Sequence, residues 1–177
     1  MSSREEFLTL MLKELKLGYG LGKLGGYQGR KFLQKITYLI QEDIPAVKSK
    51  PIQLGYDYNL YLHGPYSPEL AESCYYLINN IETFKEYQSK FKLKQELHNR
   101  LKEISSLVKS TKEKLDLGNI TDVLELLATV HFLFYKSFSY EKDQGKRQER
   151  ASRRCSELKP QFELSKCQTA LSLMLNY

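Results

Sequence analysis

Apolar residues recur along this chain mostly at the three-to-four spacing of amphipathic helices, and in one place at the alternating spacing of a strand. Ser3-Arg-Glu-Glu6 has the form of a capping box, in which Ser3 caps the amide of Glu6 and Glu6 reaches back. Phe7, Leu8, Met11, Leu12 and Leu15 then mark the buried stripe of a first helix. The glycines Gly18, Gly20, Gly22, Gly25 and Gly26 end it in a loop. The pattern predicts a second helix over about 29–41, with Phe32, Leu33, Ile36, Leu39 and Ile40 on one face and Arg30, Lys31 and Lys35 opposite. Pro45 and Pro51 bracket a connection that cannot continue it.

At residues 56–62 the period changes to two. Tyr56, Tyr58, Leu60 and Leu62 alternate with Asp57, Asn59 and Tyr61, which predicts a strand with one buried face. His63-Gly64-Pro65-Tyr66 is a predicted turn, and Ser67 before Pro68 is a strong helix start, because Ser caps and Pro fits the first helical position. Leu70, Ala71, Cys74, Leu77 and Ile78 form the stripe of that third helix, which stops near Asn79-Asn80. Phe91-Lys92-Leu93 alternates briefly and is a candidate partner for the earlier strand.

A long charge-rich helix follows, with Leu97, Leu101, Ile104, Leu107 or Val108, and Leu115 inward, and Gly118 breaking it. Thr121 is the expected cap of the next helix, in which Val123, Leu124, Leu126, Leu127, Val130, Leu133 and Phe134 leave little polar surface, so it belongs at the centre. Residues 140–145 form a loop. Two short helices separated by Pro160 end the chain, the last with Leu164, Cys167, Leu171 and Met174 inward. The expected class is mainly α, with one short β-hairpin or strand pair, a single domain with its core at about 1–140 and a C-terminal helical extension at about 146–177.

Composition narrows the function classes. With 177 residues, 41% hydrophobic and 12% aromatic, the chain builds a core and is not globally disordered. There is no tryptophan; 13 tyrosines and 8 phenylalanines carry the aromatic content. A net charge of +6 favours acidic partners without reaching the profile of a dedicated nucleic-acid coat. Cys74, Cys155 and Cys167 are isolated, an odd count that points to a reducing compartment. Charges interrupt the first fifteen residues, which therefore do not form a signal peptide. The most apolar stretch, residues 123–138, holds Glu125, His131 and Lys136 and is too short to span a bilayer. A cytoplasmic location without membrane contact is expected.

Candidate chemistry is sparse. Gly20-Leu-Gly-Lys-Leu-Gly25 matches the dinucleotide glycine pattern, but a helix precedes it where that pattern requires a strand. His63, His98 and His131 are scattered, and no nucleophile or metal-ligand signature occurs. His131 lies in the most apolar helix and fits a hydrogen-bonded core position. The sequence therefore predicts no catalytic residues, no metal and no cofactor. Two basic regions remain: Lys85, Lys90, Lys92, Lys94, Arg100 and Lys102, interleaved with Tyr87 and Phe91, and Lys142, Lys146, Arg147, Arg150, Arg153 and Arg154. Neighbouring glutamates and aspartates dilute both.

Three segments together resemble a known group: Gly29-Arg-Lys-Phe-Leu-Gln-Lys-Ile-Thr-Tyr-Leu-Ile40, Tyr58-Asn-Leu-Tyr-Leu-His-Gly-Pro-Tyr-Ser-Pro-Glu-Leu70, and Leu124-Glu-Leu-Leu-Ala-Thr-Val-His131. They are similar to the YwgA-like family of bacterial and archaeal proteins, which resembles in turn the Panacea domain of SocA-like antitoxins. Leu158-Lys-Pro-Gln-Phe162 also fits. The resemblance implies a winged-helix-like helical core and roles in toxin neutralisation, as an adaptor, or in mobile-element and phage-defence biology. It implies no catalytic residue, and it puts Gly64, Pro65, Tyr66 and Ser67 at a structural corner.

The resulting expectation is a non-enzymatic protein-binding module, with Tyr61, His63, Tyr66, Tyr75 and Tyr76 as anchors, since interfaces favour tyrosine. The alternative is a nucleic-acid-binding regulator using Lys85, Lys90, Lys92, Lys94, Arg147, Arg150, Arg153 and Arg154 on phosphates. The helix after the Gly-Pro turn offers Glu69 and Glu72, which phosphates repel, so it is not a base-reading helix. Homo-oligomerisation stays open.

Overall fold

Eight α-helices and one two-stranded antiparallel hairpin form the residues that the computed structural model describes, 3–15, 26–90 and 94–176. The order is α1 (Ser3–Glu14), α2 (Tyr27–Gln41), β1 (Asn59–Tyr61), β2 (Gly64–Tyr66), α3 (Pro68–Asn79), α4 (Ile81–Lys90), α5 (Gln95–Leu115), α6 (Ile120–Phe132), α7 (Gln144–Leu158) and α8 (Leu164–Leu175). The architecture is mainly α with a minor β part, as the periodicities predict. The capping role of Ser3, the glycine loop with its Gly20–Gly25 pattern, and the short alternation at 91–93 lie outside the described residues or side chains.

Helix α6 is the hub, because its sequence is apolar nearly all round and every residue from Val123 to His131 is buried. It packs against α2, α5, α7, α8 and the hairpin, and continues into a π turn over Leu133–Ser137. The C-terminal helices seat Ala151, Cys155, Cys167, Ala170, Leu171 and Met174 in the same core, while Leu164, expected inward, is exposed. All three cysteines are buried and unbridged.

Helix α2 departs from its expected one-sided pattern. It is buried continuously from Leu33 to Ile40, so Lys35, assigned to a solvent face by periodicity, lies inside. Asn119, not Thr121, caps α6, its side chain accepting from the Thr121 amide at 2.9 Å. Ser67 caps α3 as expected, with Pro68 in the first turn.

The strand at 59–61 pairs with residues 64–66, part of the segment predicted as a turn, in the register Asn59↔Tyr66, Leu60↔Pro65, Tyr61↔Gly64. Only Leu62 and His63 turn the chain. Gly64 has φ +83°, and a Cβ there would sit 2.5 Å from Thr129 Oγ1 on α6. Backbone conformation and the close approach to the hub helix therefore both require glycine. Pro65 costs no ladder bond in so short an edge strand.

Buried polar groups lock α2 to its neighbours. Arg100, on the inward face of α5, donates to the carbonyls of Leu39 (3.1 Å), Ile40 (3.3 Å), Ser49 (2.5 Å) and Glu42. Tyr38 donates to His131 Nδ1 at 2.8 Å, and His131 Nε2 donates to the Asp43 carbonyl at 2.9 Å. Burial pushes the His131 pKa down to about 4; Lys136 and Arg100 add to this, and the bond to Asp43 offsets part of it. The unfolded chain takes up this proton near pH 6.5 and the folded chain only near about 4, so stability rises with pH across that window. The contribution is at most about 3–4 kcal/mol, at about 1.4 kcal/mol per pH unit. Urea unfolding from pH 4 to 7 is expected to give a rising midpoint, and His131→Gln a flatter profile.

Candidate functional site

The hairpin is held from beneath by polar side chains that the fold buries. Gln34 bonds Ser67 twice, donating to its carbonyl and accepting from its amide, both at 2.9 Å. Lys35 Nζ donates to the Pro65 carbonyl at 2.6 Å, and Lys159 Nζ donates to the Leu62 carbonyl. These bonds satisfy carbonyls that so short a sheet cannot pair, and with Thr129 against Gly64 they fix the hairpin on α2 and α6.

Glu125, on α6, is the anionic centre of this region, with a side chain 1% exposed. It pairs with Lys31 through Oε2 and with Lys159 through Oε1, and His63 Nδ1 lies 3.7 Å from Oε1. Lys31 also lies 3.4 Å from Asp122. Burial opposes the charge on Glu125, but hydrogen bonds and attraction from Lys159 and Lys31 outweigh it and hold the carboxyl below its ordinary range. Burial likewise opposes the charge on Lys31, and its bond to Glu125 prevails and raises its pKa.

Lys35 has no such compensation. Burial lowers its pKa to about 7; attraction from Glu125 resists, and repulsion from Lys159 and Lys31 assists. His63, at the rim, is lowered by residual burial and by the lysines, against the pull of Glu125. Burial drives the Cys74 thiol up to about 12, so it stays protonated.

Above this cluster is a cavity of about 150 Å³ whose lining includes Tyr27, Arg30, Lys35, His63, Tyr66 and Tyr75. The Tyr27 ring meets His63 edge-on at 5.4 Å, and Tyr61 packs on Tyr66 at 5.3 Å. The hairpin tip beside it is unusually apolar for exposed surface: Leu62 is 76% exposed and Tyr61 58%, with Tyr75 at 50% and Tyr76 at 45% on α3. Of the five expected anchors, Tyr61, His63, Tyr66 and Tyr75 thus share one face. Tyr76 is exposed next to Tyr75 but outside the cavity.

The basic residues are arranged otherwise. Arg100 is buried in the α2 carbonyl cluster and cannot contact phosphate, which corrects its place in the first basic region. Lys85 pairs with Glu82 at 2.9 Å, and Lys94 sits over the Phe7 ring. Lys92 and the Lys90 side chain lie outside what is described. Arg147 covers Phe134 and donates to the Glu141 carbonyl; Arg150, Arg153 and Arg154 pair with Glu141, Glu149 and Glu157. The C-terminal arginines therefore form a mixed-charge surface.

Sequence reasoning missed Lys31, Lys35, Glu125 and Lys159 as a group. In comparisons with protein-family models, curated proteins and solved structures, nothing matches this chain. Among the described residues, no single helix is long and apolar enough to cross a membrane.

Proposed function

We propose that the protein is a non-catalytic protein-binding module, of the antitoxin, adaptor or accessory-subunit kind, whose partner docks on the hairpin tip and its flanking tyrosines. The observation that carries this reading is the exposure of Tyr61 and Leu62 on a hairpin clamped by Gln34, Lys35 and Lys159, with exposed Tyr75 on α3 beside it. Exposed leucine and tyrosine rings gain most when an interface covers them. A clamped backbone loses little entropy on binding, so more of that gain reaches affinity.

The polar groups nearest the face support a binding role over a catalytic one. Lys35 and Lys159 are engaged with hairpin carbonyls, and the thiol of Cys74, which lines the cavity, is held protonated. Nucleic acid is the weaker alternative, because the first turn of α3 carries Glu69 and the C-terminal arginines are already paired.

The test is capture of tagged protein from its native host with and without nuclease treatment, at low and high salt. The wild type is expected to retain one protein at near-stoichiometric amount in high salt. The double substitution Tyr61→Ser/Leu62→Ser is expected to lose it, an effect of at least about 2 kcal/mol for paired hot-spot residues. Recovery of nucleic acid alone, lost with salt, would overturn the reading in favour of a regulator.

A further inference from the structure

Behind the aromatic face lies an excess of positive charge. Lys31, Lys35 and Lys159 surround a single buried carboxylate, Glu125, and the first and last of them occupy its two oxygens. Asp122 is half exposed and turned to Lys31. Lys35, only 2% exposed, has one neutral acceptor among the described residues, the Pro65 carbonyl. An ammonium carries three donors, so this one retains unmet capacity, and the residue that bears it lines the cavity. A buried charge without a counter-ion is costly, and folds keep few of them unless something supplies the missing charge.

The cavity favours one kind of occupant. A carboxylate would meet Lys35 with Arg30 and Lys31 nearby, while Tyr27, Tyr66 and Tyr75 offer ring surface to the carbon body behind it. At about 150 Å³ the space is well short of the ~300 Å³ at which pockets begin to take drug-sized ligands, and suits one side chain. We propose that the cavity is a carboxylate-recognition pocket whose occupant is an acidic side chain of the partner protein, with its apolar neighbours lying on Tyr61 and Leu62. This rests on the protein-binding reading and adds the chemistry of the partner's contact segment.

A pH dependence accompanies it. The groups facing Lys35 are Arg30 and Lys31 from its own helix, His63 and Tyr66 from the hairpin, Cys74 and Tyr75 from α3, Glu125 from α6, and Lys159 after α7. Above pH 7 His63 is neutral, its pKa lying below 6.5, and Cys74 stays protonated to about 12. Lys35, at about 7, is the group that changes charge between pH 6.5 and 9, so carboxylate binding weakens over that interval.

The probe is 3-phenylpropionate, titrated against the full chain and followed by NMR of the lysine and histidine side chains. Saturable binding is expected at pH 6.5, at least tenfold weaker at pH 9, with 3-phenylpropionamide also at least tenfold weaker. Lys35→Met is expected to abolish it, with a cooperative melting curve and Tyr38 and His131 signals showing that the variant is folded; Lys142→Gln, outside the cavity, is expected to preserve it. Equal binding of the amide, no binding of the carboxylate, or full binding by folded Lys35→Met would each overturn the pocket, while leaving capture of a partner by the aromatic face intact. Probe binding that survives although no protein is captured, or a captured partner held equally by Lys35→Met, would overturn the acidic side chain as occupant.

Discussion

Replacing Glu125 by glutamine is expected to lower the unfolding free energy by about 3–5 kcal/mol, the usual cost of removing one member of a buried ion pair. The carboxylate lies between Lys31 and Lys159 at 1% side-chain exposure, with Lys35 close enough to feel its charge. Glutamine keeps the shape but leaves three lysines facing one another where water is scarce. The hairpin should loosen in step, since Lys159 holds the Leu62 carbonyl from this position. Urea unfolding gives the energy, and amide exchange at 59–66 gives the loosening. Replacing Lys31 and Lys159 by methionine together with Glu125→Leu should cost less, because both ion-paired lysines are then removed with their carboxylate.

The pH dependence from Glu125 has the opposite origin to that of His131 and the same sign. The folded carboxyl is held below its ordinary 4.5, so its stabilisation is present above pH 4.5 and is lost as pH falls through the folded value. His131 removes stability between pH 6.5 and about 4, before Glu125 contributes to the loss. Acid unfolding should therefore begin at the Tyr38–His131–Asp43 chain and finish at the lysine cluster.

Arg100→Met is the second large effect, with an expected loss of at least about 3 kcal/mol, given ~1.5–3 kcal/mol for each hydrogen bond to a charged group. The last carbonyls of a helix have no partner within it, and those of α2 point into protein rather than water. Arg100 supplies donors to Leu39, Ile40 and Glu42 and ties in Ser49 on the following connection. Methionine fills the space and satisfies none of them. Arg100→Lys should recover only part of the loss, because an ammonium is a point and the four carbonyls surround a plane. Chemical denaturation of the three proteins orders them as wild type, lysine, methionine.

Much of the helical frame was legible because burial follows the 3.6-residue period on α5, where Leu97, Leu101, Ile104, Leu107 and Leu115 all lie inside, and because α6 is apolar nearly all round, as its central place requires. The same rule failed on α2. That helix is covered on both sides, so the period places Lys35 outside when neighbours 30 and more residues away enclose it. Two signals could have revealed the buried charges. Arg100 falls on the stripe defined by Leu97, Leu101 and Ile104, and Glu125 interrupts the most apolar helix, which demands a partner. Which lysines answer Glu125 could not be read, since Lys31 and Lys159 are distant along the chain and meet only through tertiary packing. That Tyr61, His63 and Tyr66 gather at one turn was legible from their spacing, whereas the pairing of 59–61 with 64–66 depended on Gly64 fitting against Thr129.

The most direct measurement of the central claim is a photo-crosslink from the hairpin tip. A benzophenone amino acid placed at Leu62 in the native host should join the chain to one protein, and the same group at Ser139, exposed beyond the other end of α6, should not. No crosslink from position 62 while a partner still co-purifies, or equal crosslinking from both positions, would contradict the account.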